Sequence, residues 1–310
     1  MGMKDNKEMT IKETICSEAN GDMQMIKTIS REDSDYPVKL RGIPAQPSGL
    51  WLLGSLPPTG MPSVAIVGAR RATPHGKWMA EKLAYELSRK GMCIVSGMAE
   101  GIDGAAHRGA LEANGVTLAV LGCGVDVCYP KSNMALYDAI RIHGGILSEY
   151  PPGTLAQPFT FPARNRIISG MADLVIVVEA REKSGSLITV SHALSQGRDV
   201  MAVPGRPDDP CSEACNRLIK EGAGCCTCAD DVLRYLEVLP PPMPRRGEEV
   251  SESVTLEENL ILSHLTGEPC HVDTLAEKCG IPASSLAVML VSMELKGLVT
   301  AVTSGLYRRG

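Results

Sequence analysis

Aromatic residues are scarce in this chain. Phe, Trp and Tyr make up 4% of its 310 residues, with two Phe and two Trp among them. The apolar fraction is 44%, so a core is available, but Val, Ile, Leu, Ala and Met must build it. No apolar run reaches membrane-spanning length, and no membrane association is expected. The N-terminus is polar and lacks the apolar stretch of a signal peptide. Positive charge is not in excess either: the net charge is −5, which taken alone argues against nucleic acid as a partner. Cysteine is the exception to this sparseness. Its count, eleven, is odd, and with no export signal a reduced, cytoplasmic protein is expected. Cys211, Cys215, Cys225, Cys226 and Cys228 fall close together, a spacing in which four thiolates suit zinc. The pair of C-x-x-C knuckles that would support zinc is missing, so scattered thiols are the preferred reading and no metal is expected.

Charge is unevenly distributed. Residues 62–206 carry 15 Lys and Arg against 12 Asp and Glu, whereas the rest carries 16 against 24. A mildly basic centre therefore lies between acidic flanks. Residues 1–21 are polar and expected to be mobile. A lead-in rich in Pro and Gly covers 22–60. From residue 62, apolar β-rich runs (Val64–Val67, Cys93–Val95, Val116–Leu121, Gly145–Leu147, Leu174–Val178, Val200–Val203) alternate with helical patterns near 75–90, 103–114, 132–142 and 187–196. Strands apolar throughout are buried on both faces, and their alternation with helices predicts a doubly wound parallel sheet over 22–238. A Pro-rich stretch, 239–254, reads as a stiff linker. Residues 255–310 read as a separate winged-helix-like module. Its helices fit 256–265, 271–279 and 283–296, with a hairpin around Ser304-Gly305.

Both phenylalanines fall in one segment, Phe159-Thr160-Phe161-Pro162-Ala163-Arg164-Asn165-Arg166. Rings beside guanidinium groups suit a ligand with flat bases and phosphates, such as single-stranded nucleic acid. The plainer alternative is that the rings fill a core gap and the arginines form surface ion pairs. Ligands of an open parallel sheet bind beyond the carboxyl ends of its strands. The segments expected there are Gly68-Ala69-Arg70-Arg71-Ala72-Thr73, Ser96-Gly97-Met98-Ala99-Glu100-Gly101-Ile102-Asp103, Gly122-Cys123-Gly124 leading to Tyr129-Pro130-Lys131-Ser132-Asn133, the Phe/Arg segment read as a loop, and Ser184-Gly185-Ser186-Leu187-Ile188-Thr189. Together they offer Gly for close approach, Ser hydroxyls, helix N-termini and cations at Arg70, Lys131, Arg164 and Arg166, a combination that favours anions.

The usual cofactor motifs fail. A dinucleotide fingerprint needs G-x-G-x-x-G after the first strand, but Ala69 and two arginines follow Gly68. A P-loop needs four residues between its glycines and Ser or Thr after Lys; here seven separate Gly68 from Gly76, and Trp78 follows Lys77. No cofactor is expected. Asp103 and His107, four residues apart on a helix face, suit an acid/base pair. With no nucleophile near them, the preferred reading is structural, with Asp103 as helix N-cap and His107 buried. In the C-terminal module the would-be recognition helix, 284–296, has Glu294 and Lys296 as its only charges. A groove reader needs Arg, Lys, Asn or Gln at base edges, so a protein-contact or regulatory role is preferred.

Seven motifs are recognisable together and in order: Gly68-Ala69-Arg70; Ser96-Gly97-x-Ala99-x-Gly101-Ile102-Asp103 with Ala106-His107; Tyr129-Pro130-x-x-Asn133; Ser148-Glu149-Tyr150-Pro151; Phe161-Pro162-x-Arg164-Asn165-Arg166-Ile167-Ile168; Ser184-Gly185-Ser186-Leu187-Ile188-Thr189; and Gly197-Arg198-Asp199-Val200 followed by Ala202-Val203-Pro204-Gly205. The chain resembles the DprA/Smf family of DNA processing proteins over roughly residues 25–236. That resemblance implies an extended Rossmann-like domain that binds single-stranded DNA, forms a homodimer and loads the RecA recombinase, without being an enzyme, in natural transformation or recombination. It implies that Gly68 belongs to the DNA-binding site, that Arg70 holds backbone phosphate and that Lys131 adds a second cation. Phe161 would meet a base or the pocket wall, Arg164, Asn165 and Arg166 would line the same groove, and Ser184, Gly185 and Ser186 would donate hydrogen bonds. The Ser usual between Gly and Arg of the first motif is Ala69 here. A longer N-terminal helical domain of some members is expected to be missing or reduced. The competing reading is a nucleotide-processing enzyme of phosphoribohydrolase type, but its G-G-x-G-T segment is replaced by 184–189, with no acid before residue 199.

Overall fold

The computed structural model describes residues 14–15, 25–237, 256–265, 269–295, 298–303 and 305–309. The chain divides into two compact units, Met1–Pro241 and Pro242–Gly310. In the first, the strands are β1 (Thr14–Ile15), β2 (Met25–Ser30), β3 (Gly49–Gly54), β4 (Ser63–Val67), β5 (Cys93–Ser96), β6 (Thr117–Leu121), β7 (Gly145–Ser148), β8 (Leu174–Val177), β9 (Asp199–Ala202) and β10 (Gly224–Cys225). The helices are α1 (Pro74–Arg89), α2 (Ile102–Glu112), α3 (Met134–His143), α4 (Thr160–Gly170), α5 (Ser186–Ser195), α6 (Glu213–Lys220) and α7 (Ala229–Tyr235). The second unit has α8 (Leu256–His264), β11 (Cys270–His271), α9 (Val272–Cys279), α10 (Ala283–Leu295), β12 (Val299–Thr303) and β13 (Leu306–Arg309).

One sheet runs β1-β2-β3-β7-β6-β5-β4-β8-β9-β10. From β7 to β10 every neighbouring pair is parallel. Residues of β4, β5, β6, β7 and β8 are buried throughout, as helices on both faces require. Apolar clusters form the core on both faces of the sheet. One joins Val67, Val95, Val120 and Val175 with Ile167 of α4 and Val190 of α5. Another joins Ile66, Ile94 and Ile176 with Leu83 and Leu87 of α1 and Ile102 of α2. The lead-in is more than a packed appendage: β3 pairs antiparallel with β7, and β2 with β3, extending the sheet past its parallel part. Thr14–Ile15, inside the stretch expected to be mobile, pair with β2. The remainder of 1–21 and the linker 239–254 lie outside the described residues.

One expectation is corrected here. Residues 160–166 are not a loop but the first two turns of α4. Ile167 and Ile168 dock this helix on the sheet, with the buried Arg164 one turn earlier, and short-range loop signals conceal the helical period. Chain order also leaves β4 flanked by β5 on one side and β8 on the other. This is the switch point at which successive crossovers leave to opposite faces, the place where open α/β sheets commonly receive ligands.

The second unit packs Ile261, Leu262, Leu265, Leu275, Leu286, Leu290, Met293 and Val299 into a small core. Gly280, in the left-handed region at φ +67°, ends α9 and lets the chain turn into α10. The hairpin β12–β13 gains a third strand, β11, in place of the helix start expected at 271. The fold is therefore a mostly parallel, Rossmann-like sheet accompanied by a winged-helix unit.

Candidate nucleic-acid interface

The topology brings the ends of β4, β5, β6, β7 and β8, and the segments that follow them, to one edge of the sheet. Two of these segments are locked together. Gly101, at φ +81°, passes so close to the β4–α1 turn that a Cβ there would lie 2.2 Å from the Ala69 carbonyl, and Ile102 N–H donates to that carbonyl at 3.3 Å. Asn133 Nδ2 donates to the Met98 carbonyl at 2.9 Å, and Ser132 Oγ to Glu100 at 2.8 Å, so the Tyr129–Asn133 segment rides on the β5–α2 loop. That fixes the exposed Lys131 to the rim.

Phe161 is the centre of the rim. Its ring lies over Gly122, where any side chain would come within 3.1 Å of it. The guanidinium of Arg70, itself exposed, stands 5.0 Å from the ring centroid. Tyr129, 44% exposed, meets the ring at 5.4 Å and a 34° tilt. Arg164 lies 6.0 Å away on the inner side. Phe161 is half-buried and Phe159 is 67% exposed, so neither ring is a core filler. Tyr129 is a ring of this site to which the sequence assigns no role of its own, although it stands in the Tyr129-Pro130-x-x-Asn133 motif. Its signal is present two residues before Lys131, but an isolated Tyr-Pro says nothing about which way the ring faces.

The cations grouped by sequence part company in the structure. Arg70 and Lys131 are exposed. Arg164 is 4% exposed, and its guanidinium donates to the carbonyls of Gly97, at 2.8 Å, and Val120. It faces the buried Asp103, whose carboxylate accepts from Gly97 N–H at 3.1 Å. Burial pushes the Asp103 carboxyl up, opposed by the Arg164 charge, and brings Arg164 down to about 10, where it is still cationic at neutral pH. Arg164 thus braces the ends of β5 and β6 under the rim instead of lining its surface. Arg166 is also engaged. It donates to Ala45 O at 2.7 Å and Ala163 O at 2.8 Å, and pairs with Glu149 at 2.6 Å, tying α4 to the lead-in. Asn165 reaches the Gly185 carbonyl at 3.3 Å, joining α4 to the Ser184–Ser186 turn. In that turn the Ser184 and Ser186 hydroxyls bond each other at 2.8 Å, and Gly185 is exposed at the start of α5.

At the switch point Gly68 lies so close to Ile102 and the Glu179 carbonyl that only Gly fits. Beyond it, Glu179 occupies the place where the Rossmann-type fold commonly receives phosphate. Its buried carboxylate accepts from Thr73 N–H at 2.8 Å and from the Thr73 hydroxyl at 2.5 Å, and sits against Gly76, where a Cβ would lie 2.2 Å from its carboxyl carbon. The N-terminus of α1 therefore already holds an anion of the protein's own. An acid ending an apolar strand gives no sequence sign of this.

Asp103 and His107 do not form a pair. The helix N-cap is Gly101, Asp103 turns to Gly97, and His107 Nδ1 meets Thr117 Oγ1 at 2.7 Å. Because that hydroxyl donates to the Ile94 carbonyl at 2.8 Å, the Nδ1 atom carries the proton. Burial first, then the charges of Arg164 and Arg108, hold His107 down to about 3, so it is neutral at physiological pH. Among the described residues no three His, Cys, Asp or Glu side chains come together as a metal site. Burial pushes Cys215 and Cys226 up to about 12, which keeps them thiols. No single described helix is long and apolar enough to cross a membrane. A cavity of about 760 Å³ opens away from the rim, between the lead-in and the start of β4; Lys39 on its wall is held by Asp173 at 2.6 Å. On α10, the exposed side chains include Ser284, Ser285, Val288 (72%) and Val291 (53%), with no cation among the described residues of the helix.

Comparison with known proteins agrees with this architecture. The profile of the DNA recombination-mediator protein A family matches residues 27–237, and that of the DprA winged helix domain matches 242–305. DNA processing protein DprA of Streptococcus pneumoniae is 45% identical over 216 residues, 70% of this chain and 76% of that protein. Protein Smf of Escherichia coli is 36% identical over 286 residues, 90% of this chain and 76% of that protein. The X-ray structure of the pneumococcal protein superposes with a TM-score of 0.65 over 67% of this chain and 74% of its own. The Helicobacter pylori protein, described for its single-stranded DNA binding mode, is 30% identical with a TM-score of 0.60, over 68% of this chain and 95% of its own. The chain belongs to the DNA recombination-mediator protein A (DprA/Smf) family of DNA processing proteins.

Proposed function

We propose that this protein binds single-stranded DNA along the rim, protects the strand and delivers it to the RecA recombinase, acting as a cytoplasmic homodimer in natural transformation or recombination and catalysing no reaction itself. The observation that carries the reading is the pairing of an exposed Arg70 with the half-buried Phe161 and the exposed Tyr129. A single strand offers a phosphate and a base at each step, and this trio offers a cation beside two rings. Lys131 supplies a second cation for the backbone, and the exposed Gly185 N–H at the start of α5 a donor. Gly68 lets the β4 turn approach closely. Arg164, Asn165 and Arg166 hold the rim's shape from behind, and Ser184 with Ser186 shapes the α5 turn. The family resemblance and the H. pylori relative's described binding mode support the same ligand. Loading of RecA and dimer formation rest on the resemblance alone. The nucleotide-enzyme reading is disfavoured by Glu179, which fills the α1 N-terminus that a substrate phosphate would use.

Fluorescence anisotropy of a labelled oligo-dT strand tests the first step, with duplex of equal length as control. Arg70→Glu and Phe161→Ala should each weaken single-strand binding at least tenfold, about 1.4 kcal/mol or more, with folding intact. Binding indifferent to both changes, or equal on duplex, removes the rim from consideration. Delivery is tested by the DNA-dependent ATPase of RecA on a protein-coated strand. No acceleration by the wild type would leave a strand binder without a loading role.

A further inference from the structure

The outer face of α1 is not an ordinary solvated helix face. His75, Trp78, Lys82, Tyr85 and Arg89 follow one another at steps of three and four, the spacing that keeps side chains in one line along a helix, and Arg71 precedes them in the β4–α1 turn. All six are exposed. Trp78 is 53% and Tyr85 39% exposed, in a chain with two Trp altogether. The His75 and Trp78 rings stack at 5.5 Å and 29°, and Lys82 Nζ lies 5.3 Å from the Trp78 ring. Both carboxylates of the helix are turned to cations: Glu81 to Arg108 at 4.0 Å, and Glu86 to Lys82 at 3.8 Å. What reaches solvent along the line is cationic or aromatic.

The stripe begins where the rim ends. Arg71 adjoins Arg70, and α1 carries the line away from the rim for about 21 Å, at 1.5 Å per residue from 75 to 89. We propose that the α1 stripe is a second contact surface for single-stranded DNA, taking the stretch of strand that leaves the rim. Alternating cations and rings is the pattern that tracks a phosphate backbone while stacking bases without regard to sequence. A protein partner would bury a contiguous apolar patch. Here Leu83, Ala84 and Leu87 face the core, and the exposed rings are separated by cations. The inference rests on the rim reading above, since the stripe extends a track that starts at Arg70.

The test compares a labelled oligo-dT of about six nucleotides, short enough for the rim, with one of about twenty, long enough for both surfaces. Trp78→Ala with Tyr85→Ala should weaken the long strand at least thirtyfold and leave the short one unchanged, since each substitution removes a ring on which a base stacks. Lys82→Gln with Arg89→Gln should lower the salt slope for the long strand alone, by about 0.7 for each phosphate left without its cation. In a Trp51→Phe background Trp78 is the only indole, and its emission should be quenched by the long strand but not the short. Equal effects on both lengths, or none on either, would overturn the stripe as a strand path. So would Trp78 emission that responds to protein concentration and not to DNA, which would mark a protein interface. Arg70→Glu separates the two readings. If it leaves the short strand unaffected the rim reading fails, whereas the stripe fails on the long-strand variants even when Arg70→Glu behaves as expected.

Discussion

Arg164 and Asp103 meet at Gly97: a Cβ placed on that glycine would lie 2.6 Å from the Asp103 carboxylate and 2.8 Å from an Arg164 guanidinium nitrogen. The pair clamps the β5–α2 loop from both sides, with Arg164 also donating to the Val120 carbonyl at the end of β6. Two arginines that look alike in sequence therefore differ in role. Arg164→Gln should destabilise the fold by about 3–5 kcal/mol, the usual cost of leaving a buried charge without its partner. Arg70→Gln should change stability by no more than about 0.5 kcal/mol, as an exposed substitution does. Urea denaturation of the two variants checks the contrast. Equal stability losses would contradict the division between brace and contact.

The rings of the rim give a second prediction. Phe161 rests on Gly122 with one face and has Arg70 and Tyr129 around the rest. Phe161→Leu keeps an apolar side chain over Gly122 but removes the stacking face. Single-strand affinity should fall by roughly 1–3 kcal/mol while thermal stability stays within a few degrees. Tyr129→Ala, at an exposed position, should cost a smaller part of the same affinity without a stability change. Anisotropy and a melting curve on each variant decide it. Loss of folding on Phe161→Leu would return this ring to the core.

Much of this was legible in the sequence, for a specific reason. Val64–Val67, Leu174–Val178 and their neighbours are apolar at every position, so burial on both faces and a parallel sheet followed directly. The glycines and cations of the rim were legible because close approach and charge are properties of residue type. What escaped was direction. Arg70 and Arg164 are the same residue in equally conspicuous motifs, yet one faces solvent and the other the ends of β5 and β6, because α4 is a helix and turns its fifth residue inward. A helix opening on Phe-Pro with two arginines reads as a loop when taken residue by residue. Glu179 was illegible for a related reason: its role exists only once Thr73 and Gly76, more than a hundred positions earlier, are folded beside it.

That acid gives a third prediction. With Glu179 in place, the Thr73 N–H and hydroxyl are satisfied internally, and the Thr73 hydroxyl oxygen in turn accepts from Gly76 N–H in the first turn of α1. Glu179→Ala strips these donors of their acceptor and should destabilise the fold by about 1–3 kcal/mol. It also opens a helix N-terminus to solution anions. Inorganic phosphate should then raise the melting temperature of Glu179→Ala and leave that of the wild type unchanged. If phosphate stabilises both alike, the carboxylate is not what keeps the site closed.

The buried histidine sets a pH dependence. Folded His107 is held down to about 3, whereas its ordinary value is 6.5. Between those values the unfolded chain binds a proton that the folded chain refuses, so stability falls as pH falls through 6.5 towards 3. From pH 7 to pH 5 this one group should remove about 2 kcal/mol. Asp103 works in the opposite sense. Its folded carboxyl is raised by burial, so it retains its proton more readily than the unfolded chain, and its contribution is lost as pH rises through its folded value. The two are separated by His107→Gln, which removes the imidazole and leaves Asp103 and Gly97 in place. Urea denaturation at pH 7 and pH 5 should show a loss about 2 kcal/mol smaller in the variant than in the wild type. Parallel losses in both would mean that His107 is protonated in the fold at pH 5, and that its ring is not sealed between α2 and the sheet.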